Sequence, residues 1–169
     1  MAYQIGDFVI YGSNGVCRIE AIGKLNSKGM PHDVEFYTLV PHYTKGSRIF
    51  TPVGNSKVLM RAVISREEAS KLIDEIPSIE ALWIADDRKR EDVFKEALRS
   101  GDLNLLIRII KTLFLRRQER ISAGKKITAS DEKYYHLAEE SLYGELAIAL
   151  GMTKPEVENY IIERCEMHG

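Results

Sequence analysis

The sequence has few of the residues that mark disulfide-rich or membrane proteins. Only two of its 169 residues are cysteines, Cys17 and Cys165, and neither lies in a CxxC or a metal-type histidine spacing. We therefore expect reduced thiols. No run approaches the roughly 18 consecutive apolar residues that a membrane helix needs. The start, MAYQIGDFVIYG, lacks the basic region and the apolar run of a secretory signal. These absences predict a cytoplasmic protein with no membrane association.

Sequence motifs of catalysis are also missing. The four histidines, His32, His42, His136 and His168, have no HExxH or similar ligand spacing, and no GxSxG, P-loop or GxGxxG sequence occurs. Glu139 and Glu140 are adjacent, so on a helix they project about 100° apart and favour a solvated face over an acid–base pair. We expect no enzyme activity, no metal and no cofactor.

The chain also lacks an excess of either charge. It has 24 Lys and Arg against 25 Asp and Glu, a net charge of −1, which argues against a free nucleic-acid binder. Divided by segment, residues 1–64 hold 7 basic and 4 acidic residues (+3), and residues 65–87 hold 2 and 7 (−5). Residues 88–126 hold 12 and 5 (+7), and residues 127–169 hold 3 and 9 (−6). The neutral total conceals a basic block between two acidic segments.

The first 64 residues carry the pattern of short β-strands. Apolar, β-branched and aromatic runs cover residues 7–11, 16–24, 34–41 and 48–53. The cluster Gly12-Ser13-Asn14-Gly15 joins the first two runs, which is a hairpin signal, and a loop at residues 26–33 follows the second. Four or five such strands in about 60 residues predict a small, strongly bent antiparallel barrel with strand edges open for docking.

From Ser65 onward the apolar period changes from two to 3.6 residues, and cap signals predict about five helices. The signals are Ser65 with Glu68 for a helix ending before Pro77, Asp86 or Asp87 for one ending at Ser100-Gly101, Asp102 for one running through Arg120, Thr128 with Asp131 for one ending at Gly151, and Thr153 with Pro155 and Glu156 for the last. The predicted fold class is α+β multidomain, with a β barrel over residues 1–62 and an all-helical domain over residues 65–169.

The basic block begins with Arg88-Lys89-Arg90 in the first turn of a predicted helix. Cations are disfavoured there by a few tenths of a kcal/mol, because the macrodipole is positive at that end. Free N–H groups beside three cations would suit a phosphate. The alternative is a surface ion-pair patch, in which nearby Asp86, Asp87, Glu91 and Asp92 neutralise the cluster.

Two further basic groups follow in the same block. Arg116, Arg117 and Arg120 lie in the last turns of a predicted helix, where the dipole favours them and explains them sufficiently. Lys125-Lys126 follow Ala123-Gly124 in a loop, where no such explanation applies. The lysine pair is therefore the better phosphate-binding candidate.

Trp83 is the only tryptophan and lies just before the basic helix. With Ile76, Ile79 and Leu82 at helical spacing, it would be a core residue. The alternative is an apolar wedge of the kind that minor-groove proteins insert at base steps beside basic residues. The residues leave both interpretations open.

Short motifs occur along the whole chain in a recognisable order. They are Gly6-Asp7-Phe8-Val9-Ile10-Tyr11 followed by Gly15 and a run to Ile19, then Ile49-Phe50-Thr51-Pro52, Ser100-Gly101-Asp102, Arg116-Arg117-Gln118-Glu119-Arg120, Ser122-Ala123-Gly124-Lys125-Lys126, and Gly144-Glu145-Leu146-Ala147. In this order they resemble the CarD/CdnL family of bacterial transcription factors, which bind RNA polymerase.

The resemblance implies a Tudor-like domain, also found in the transcription–repair coupling factor, that binds the polymerase β subunit through a strand edge. On this chain the matching residues are Arg48, Ile49, Phe50 and Thr51, with Lys24 and Leu25 beside them. It also implies a helical domain that contacts promoter DNA at the upstream edge of the melted bubble, in the minor groove and at phosphates. The matching residues are Trp83, Arg88, Lys89 and Arg90, to which the residue analysis adds Lys125 and Lys126.

Two positions depart from the family pattern. The family tryptophan lies about four residues nearer the Ser-Gly-Asp motif, a position near Asp87 here, so that Trp83 is one helical turn earlier. Phe50 replaces a basic residue found in some members. We expect a monomeric regulator that stabilises the open complex. The alternative is a polymerase-binding adaptor whose acidic C-terminal helices recruit another protein.

Overall fold

A computed structural model describes residues 3–25, 29 and 33–168, with side chains up to residue 165. The chain forms two compact units, Met1–Val63 and Ile64–Gly169. Among the residues that the structure describes, five strands lie in the first unit and five α-helices in the second, which confirms the predicted β domain followed by a helical domain. Apart from Gly29 and Asp33, the predicted loop at residues 26–33 lies outside the described residues.

The strands of the first unit form one antiparallel sheet. They are β1 (Phe8–Tyr11), β2 (Val16–Lys24), β3 (Glu35–Pro41), β4 (Ile49–Pro52) and β5 (Met60–Ala62). Their hydrogen-bonded order is β4-β3-β2-β1-β5. Phe8 pairs with Arg18 and Ile10 with Val16, so the predicted hairpin is confirmed. Within the described residues, β4 and β5 are the two end strands of this sheet.

The turn between β1 and β2 depends on glycine. Residues Gly12–Asn14 form one 3₁₀ turn, and both Gly12 (φ 49°) and Gly15 (φ 69°) have the positive φ that glycine adopts without steric cost. A Cβ at Gly12 would lie 2.9 Å from a methyl carbon of Val58. The core below the sheet is built from alternating inward residues, which are Val9, Tyr11, Cys17, Ile19, Tyr37 and Leu39.

The helices of the second unit begin and end close to the predicted caps. They are α1 (Arg66–Glu75), α2 (Arg90–Ser100), α3 (Leu103–Ser122), α4 (Ala129–Leu150) and α5 (Lys154–His168). Ser65 and Glu68 form the predicted capping box, and Gly101 and Gly151 end their helices in the left-handed conformation. No helix in the described part of the chain is long and apolar enough to cross a membrane.

One core unites all five helices. Its fully buried members include Ile73 of α1, Phe94 of α2, Leu106 of α3, Leu146 of α4 and Val157 of α5. Between α1 and α2 lie a 3₁₀ turn at Ile76–Ser78, an irregular stretch over residues 79–86, and a second 3₁₀ turn at Asp87–Lys89. We call residues 79–86 the Trp83 segment.

Candidate docking edge and nucleic-acid interface

Strand β4 exposes one edge of its backbone. On its inner side, Thr51 is opposite Tyr37 and Ile49 is opposite Leu39. The amide of Val53 donates to Glu35 O at 2.9 Å. Because hydrogen-bonded and non-bonded pairs alternate in an antiparallel ladder, Thr51 and Ile49 also bond towards β3. Phe50 therefore directs its N–H and C=O away from the sheet.

Pro52 limits how far this open edge extends. It is opposite Phe36, in a non-bonded position of the ladder. Because Pro52 has no N–H, it loses no bond to β3 at this position. On the outer side, it offers no N–H donor to a partner. Proline is tolerated on edge strands for this reason. The usable edge is short and centres on Phe50.

The side chains of β4 divide between the two faces of the sheet. Phe50 is 45% exposed, whereas Thr51 is 1% exposed and its hydroxyl has no hydrogen-bond partner among the described residues. Ile49 is half-buried and packs on the core. Arg48 is exposed and pairs with Glu20 of β2, with 2.9 Å between Nε and Oε2. Of the predicted contacts on β4 and directly before it, Phe50 and Arg48 present side chains to solvent, and Thr51 offers only backbone.

Lys24 and Leu25 are not adjacent to β4. Lys24 ends β2 and is opposite Glu35, so β3 lies between it and β4. Two strand spacings separate the backbones by about 10 Å. The structure therefore does not bring these two residues together with the β4 edge.

Trp83 is the most exposed large apolar side chain of the described residues, at 87%. Its neighbours Leu82 and Ile84 are half-buried and pack on the helical core. This is the alternation of an extended chain, in which successive side chains point to opposite sides. The interpretation of Trp83 as a core residue on a helix is therefore wrong. The period is two here, and inward Leu82 and Ile84 place Trp83 outward.

Two grooves flank the indole. One, of about 390 Å³, is lined by Leu82, Trp83, Ile84, Ala85, Asp86, Lys89 and Val93. The other, of about 290 Å³, is lined by Trp83 and Leu115 together with the polar side chains of Asp87, Arg90, Thr112, Arg116 and Glu119, among others. Trp83 thus forms a ridge between two depressions with basic side chains in their walls.

Side chains of α3 bind the backbone of the stretch that ends at Trp83. The Lys111 ammonium donates to the carbonyls of Ile76 and Ile79, and Arg108 Nε donates to Glu80 O at 3.1 Å. The sequence analysis did not identify these bonds. Pro77 was the available signal, because a helix interrupted there leaves backbone groups that need other partners.

The three consecutive cations at residues 88–90 have different surroundings. The side chain of Arg88 is 90% exposed, and its Nε lies 3.3 Å from Asp86 Oδ1. Lys89 is exposed, and within the described residues no carboxylate lies at ion-pair distance from it. Arg90 is only 19% exposed and pairs with Asp87 at 2.9 Å and with Asp131 at 3.8 Å. Arg88 and Lys89 can reach a phosphate, whereas Arg90 is held inside the domain.

Asp131 explains why Arg90 turns inward. This carboxylate on α4 is 5% exposed, and it accepts a bond from Arg116 Nε of α3 as well as pairing with Arg90. A buried charge requires such partners to offset the loss of water. Asp131 therefore ties α2, α3 and α4 together, and two arginines of the basic block serve this purpose.

Lys125 and Lys126 lie exposed in the loop between α3 and α4. Arg120 Nε donates to Lys126 O at 2.7 Å, and the Lys125 amide donates to Arg120 O at 2.8 Å. Arg120 thereby orders the loop backbone and leaves both ammonium groups in solvent. These positions are compatible with the predicted phosphate contacts.

Other chemistry is sparse. In the portion of the chain that the structure describes, no group of three His, Cys, Asp or Glu side chains could hold a metal ion. Burial raises the pKa of Cys17 to about 11, which keeps the thiol protonated. Burial also lowers the pKa of Lys111 below its ordinary value.

These features define a two-part binding protein, with an open strand edge in one unit and an exposed tryptophan beside cations in the other. The CarD-like/TRCF RID domain matches residues 3–64, and the CarD C-terminal domain matches residues 85–162. The chain therefore belongs to the CarD-like family and is an RNA polymerase-interacting transcription regulator. The resemblance inferred from the ordered motifs is confirmed.

Proposed function

We propose that this regulator binds the β subunit of RNA polymerase through the edge of β4. A short open edge centred on Phe50 suits addition of one strand from a partner, in which backbone bonds supply affinity and neighbouring side chains supply specificity. Phe50 stands where some family members have a basic residue. The contact is therefore more apolar here, with Arg48 supplying the charge.

We further propose that Trp83 contacts promoter DNA at the upstream edge of the melted bubble and so stabilises the open complex. The observation that carries this proposal is the 87% exposure of the only tryptophan, on a segment whose neighbouring residues are packed and bonded. An indole exposed in this way gains from burial against a partner. Arg88 and Lys89, and more distantly Lys125 and Lys126, are the proposed phosphate contacts.

A weak DNA contact is sufficient if polymerase binding precedes it. Once one unit is bound, the other meets its site at an effective concentration that approaches millimolar for a short linker. The net charge of −1 then fits a protein recruited by polymerase, because strong binding to free DNA is not required.

The test is the lifetime of open complexes with purified polymerase, measured after a competitor is added. Trp83→Ala should shorten the lifetime about tenfold and weaken upstream protection in a footprint, since one aromatic–base contact contributes roughly 1–3 kcal/mol. Phe114→Ala is the matched control, because Phe114 is another exposed aromatic residue of the same unit. An unchanged lifetime and footprint for Trp83→Ala would instead support recruitment of another protein by the helical unit.

A further inference from the structure

The chain after α1 has backbone groups that no regular element can satisfy. Pro77 interrupts the helix, and residues 79–86 form neither helix nor strand. Ile79, Leu82 and Ile84 of this stretch pack on the helical core, where an unpaired backbone group is costly. The structure supplies partners from the side chains of one neighbouring helix, α3.

Arg108, Lys111 and Thr112 provide those partners from one face of α3. Their spacing of three and four residues places them on adjacent turns of the same side. Arg108 and Lys111 bind the carbonyls of Glu80, Ile76 and Ile79, as described above. Each bond goes to backbone, so the set fixes the path of the chain whatever side chains the segment carries.

Thr112 binds the residue immediately before the tryptophan. Its hydroxyl accepts from the Leu82 amide at 2.8 Å and donates to Arg108 O at 2.7 Å, with Leu82 O a further 3.4 Å neighbour. The hydroxyl thus bonds to both segments, and it fixes the Ala81–Leu82 peptide, one residue before Trp83, which restrains the direction in which the Trp83 side chain leaves the backbone. Packing of Leu82 and Ile84 sets the side of the chain on which Trp83 lies, but packing is non-directional and does not fix the finer orientation of the indole.

Lys111 is held in an unusual state for a lysine. Its side chain is partly buried, whereas a lysine on a helix normally extends its ammonium into water. Here the ammonium serves two carbonyls of the domain. Lysine is one of the most mobile side chain types, and here it holds the backbone at Ile76 and Ile79 in place.

We propose that Arg108, Lys111 and Thr112 are positioning residues that hold Trp83 in its outward orientation for contact with DNA. The proposal rests on the proposed role of Trp83 at the promoter. It assigns to three residues of the basic block a function other than contact with phosphate. A tryptophan already held in place loses less conformational entropy on binding, which is the advantage of preorganisation.

Trp83 reports on its own mobility, because it is the only tryptophan in the chain. In Thr112→Val, which keeps the shape and removes the hydroxyl, the steady-state fluorescence anisotropy of Trp83 in the free full-length protein should fall. Its emission maximum should stay unchanged, since the indole is exposed in both proteins. The open-complex lifetime should fall about fivefold, the effect of losing one typical hydrogen bond. Thr112→Ser should restore both values.

Ser122→Ala is the matched control, because it removes an exposed hydroxyl from the same helix and should change neither value. Arg108→Ala, a change at a partly exposed position, should lower the anisotropy less and in the same direction. If Thr112→Val fails to fold, Arg108→Ala decides the question. Wild-type anisotropy in a folded variant would overturn the positioning role. A silent Trp83→Ala in the promoter assay would overturn the proposed function separately, because anisotropy is measured without DNA.

Discussion

Arg88, Lys89 and Arg90 are consecutive in the sequence, yet their side chains have different surroundings. The side chains of Arg88 and Lys89 extend into solvent, and that of Arg90 reaches the buried carboxylate of Asp131. Arg88 also pairs with Asp86 but stays 90% exposed, so the two sequence interpretations, a phosphate site and an ion-pair patch, divide by exposure. Arg90 belongs to the ion pairs, and the proposed contact retains Arg88 and Lys89.

This division predicts separable effects of substitution. The double change Arg88→Gln and Lys89→Gln should shorten open-complex lifetime, and the effect should shrink as salt is raised, because phosphate contacts weaken with salt. It should leave the urea midpoint unchanged. Arg90→Gln should lower the free energy of unfolding by about 1–3 kcal/mol, since it removes a charged partner of a buried carboxylate.

Lys95→Gln is the control for the first arm, because Lys95 is exposed on the same helix. The division would be refuted if the Arg88 and Lys89 double variant lost stability while Arg90→Gln kept it.

A second prediction concerns Glu139 on α4. Burial raises the pKa of this carboxyl, and the nearby charge of Glu158 acts in the same direction, while the bond from Tyr143 opposes them. The folded state therefore holds the proton more tightly than the unfolded chain. The associated stability is fully present below the unfolded pKa, about 4.3, and is lost as pH rises through the folded pKa.

Glu139→Gln should accordingly raise the urea midpoint at neutral pH, because it removes the charge and keeps an oxygen that accepts from Tyr143. The gain over the wild type should disappear as pH falls towards 4.3. Urea titrations at several pH values measure this. A constant gain at every pH would show that the ionisation of Glu139 is not its cause.

At the scale of the element, the ends of the helices were predictable because capping is local chemistry. Ser65 with Glu68 forms its capping box, and Thr153 with Glu156 exchanges the same pair of bonds at the start of α5. The acceptor and donor lie three residues apart, so the sequence alone contains both. The hairpin of β1 and β2 was predictable for the same reason, since its glycine turn is local.

The Trp83 segment was not predictable, because non-local bonds override its local pattern. The spacing of Ile76, Ile79 and Leu82 fits a helix, but Pro77 interrupts it and α3 supplies the missing partners from about 30 residues away in sequence. No short-range signal records those partners. A fifth strand was allowed for in the predicted four or five, but the place of β5 was not predictable, because its three residues are a strand only through their pairing with β1.

The open edge of β4 yields a prediction about backbone rather than side chains. Phe50→Ala should weaken polymerase binding about tenfold by removing a contact of roughly 1.4 kcal/mol. Phe50→Pro should weaken it further, because it also removes the outward N–H while sparing the ladder to β3. Thr51→Pro should instead destabilise the sheet, since the Thr51 N–H bonds inward.

Binding to purified polymerase and urea denaturation measure the two effects. Ile5→Ala is the control, because Ile5 is an exposed apolar residue of the same unit, next to Gly6, which bonds to β2, and β3 lies between β2 and β4. Equal affinity of the Phe50→Ala and Phe50→Pro proteins would show that the partner does not add a strand to this edge.

For the whole molecule, DNA affinity depends on what the basic side chains bind more than on how many of them there are. The basic block holds 12 Lys and Arg, but several of them bind groups within the domain, namely Arg90, Arg108, Lys111, Arg116 and Arg120. Fewer cations remain for phosphates than the sequence suggests. Because free-DNA affinity rises with the number of phosphates neutralised, we expect that affinity to be low and recruitment by polymerase to be essential.

The order of motifs predicted the family of the whole chain, while the roles of single residues needed side-chain geometry. The sequence alone did not separate Lys24, Thr51 and Arg90 from the other candidate binding residues near them. In the structure, β3 lies between Lys24 and β4, Thr51 is buried, and Arg90 pairs with the buried carboxylate of Asp131. Each of these causes is a tertiary contact.

The most direct test of the two-part account is a double-mutant cycle in open-complex lifetime, with Phe50→Asp for the polymerase contact and Trp83→Ala for the DNA contact. If Trp83 acts only when β4 is bound to polymerase, Phe50→Asp alone should remove most of the stabilisation. Adding Trp83→Ala to it should then change the lifetime little, although Trp83→Ala alone shortens it about tenfold. A full, independent effect of Trp83→Ala in the Phe50→Asp protein would contradict the account.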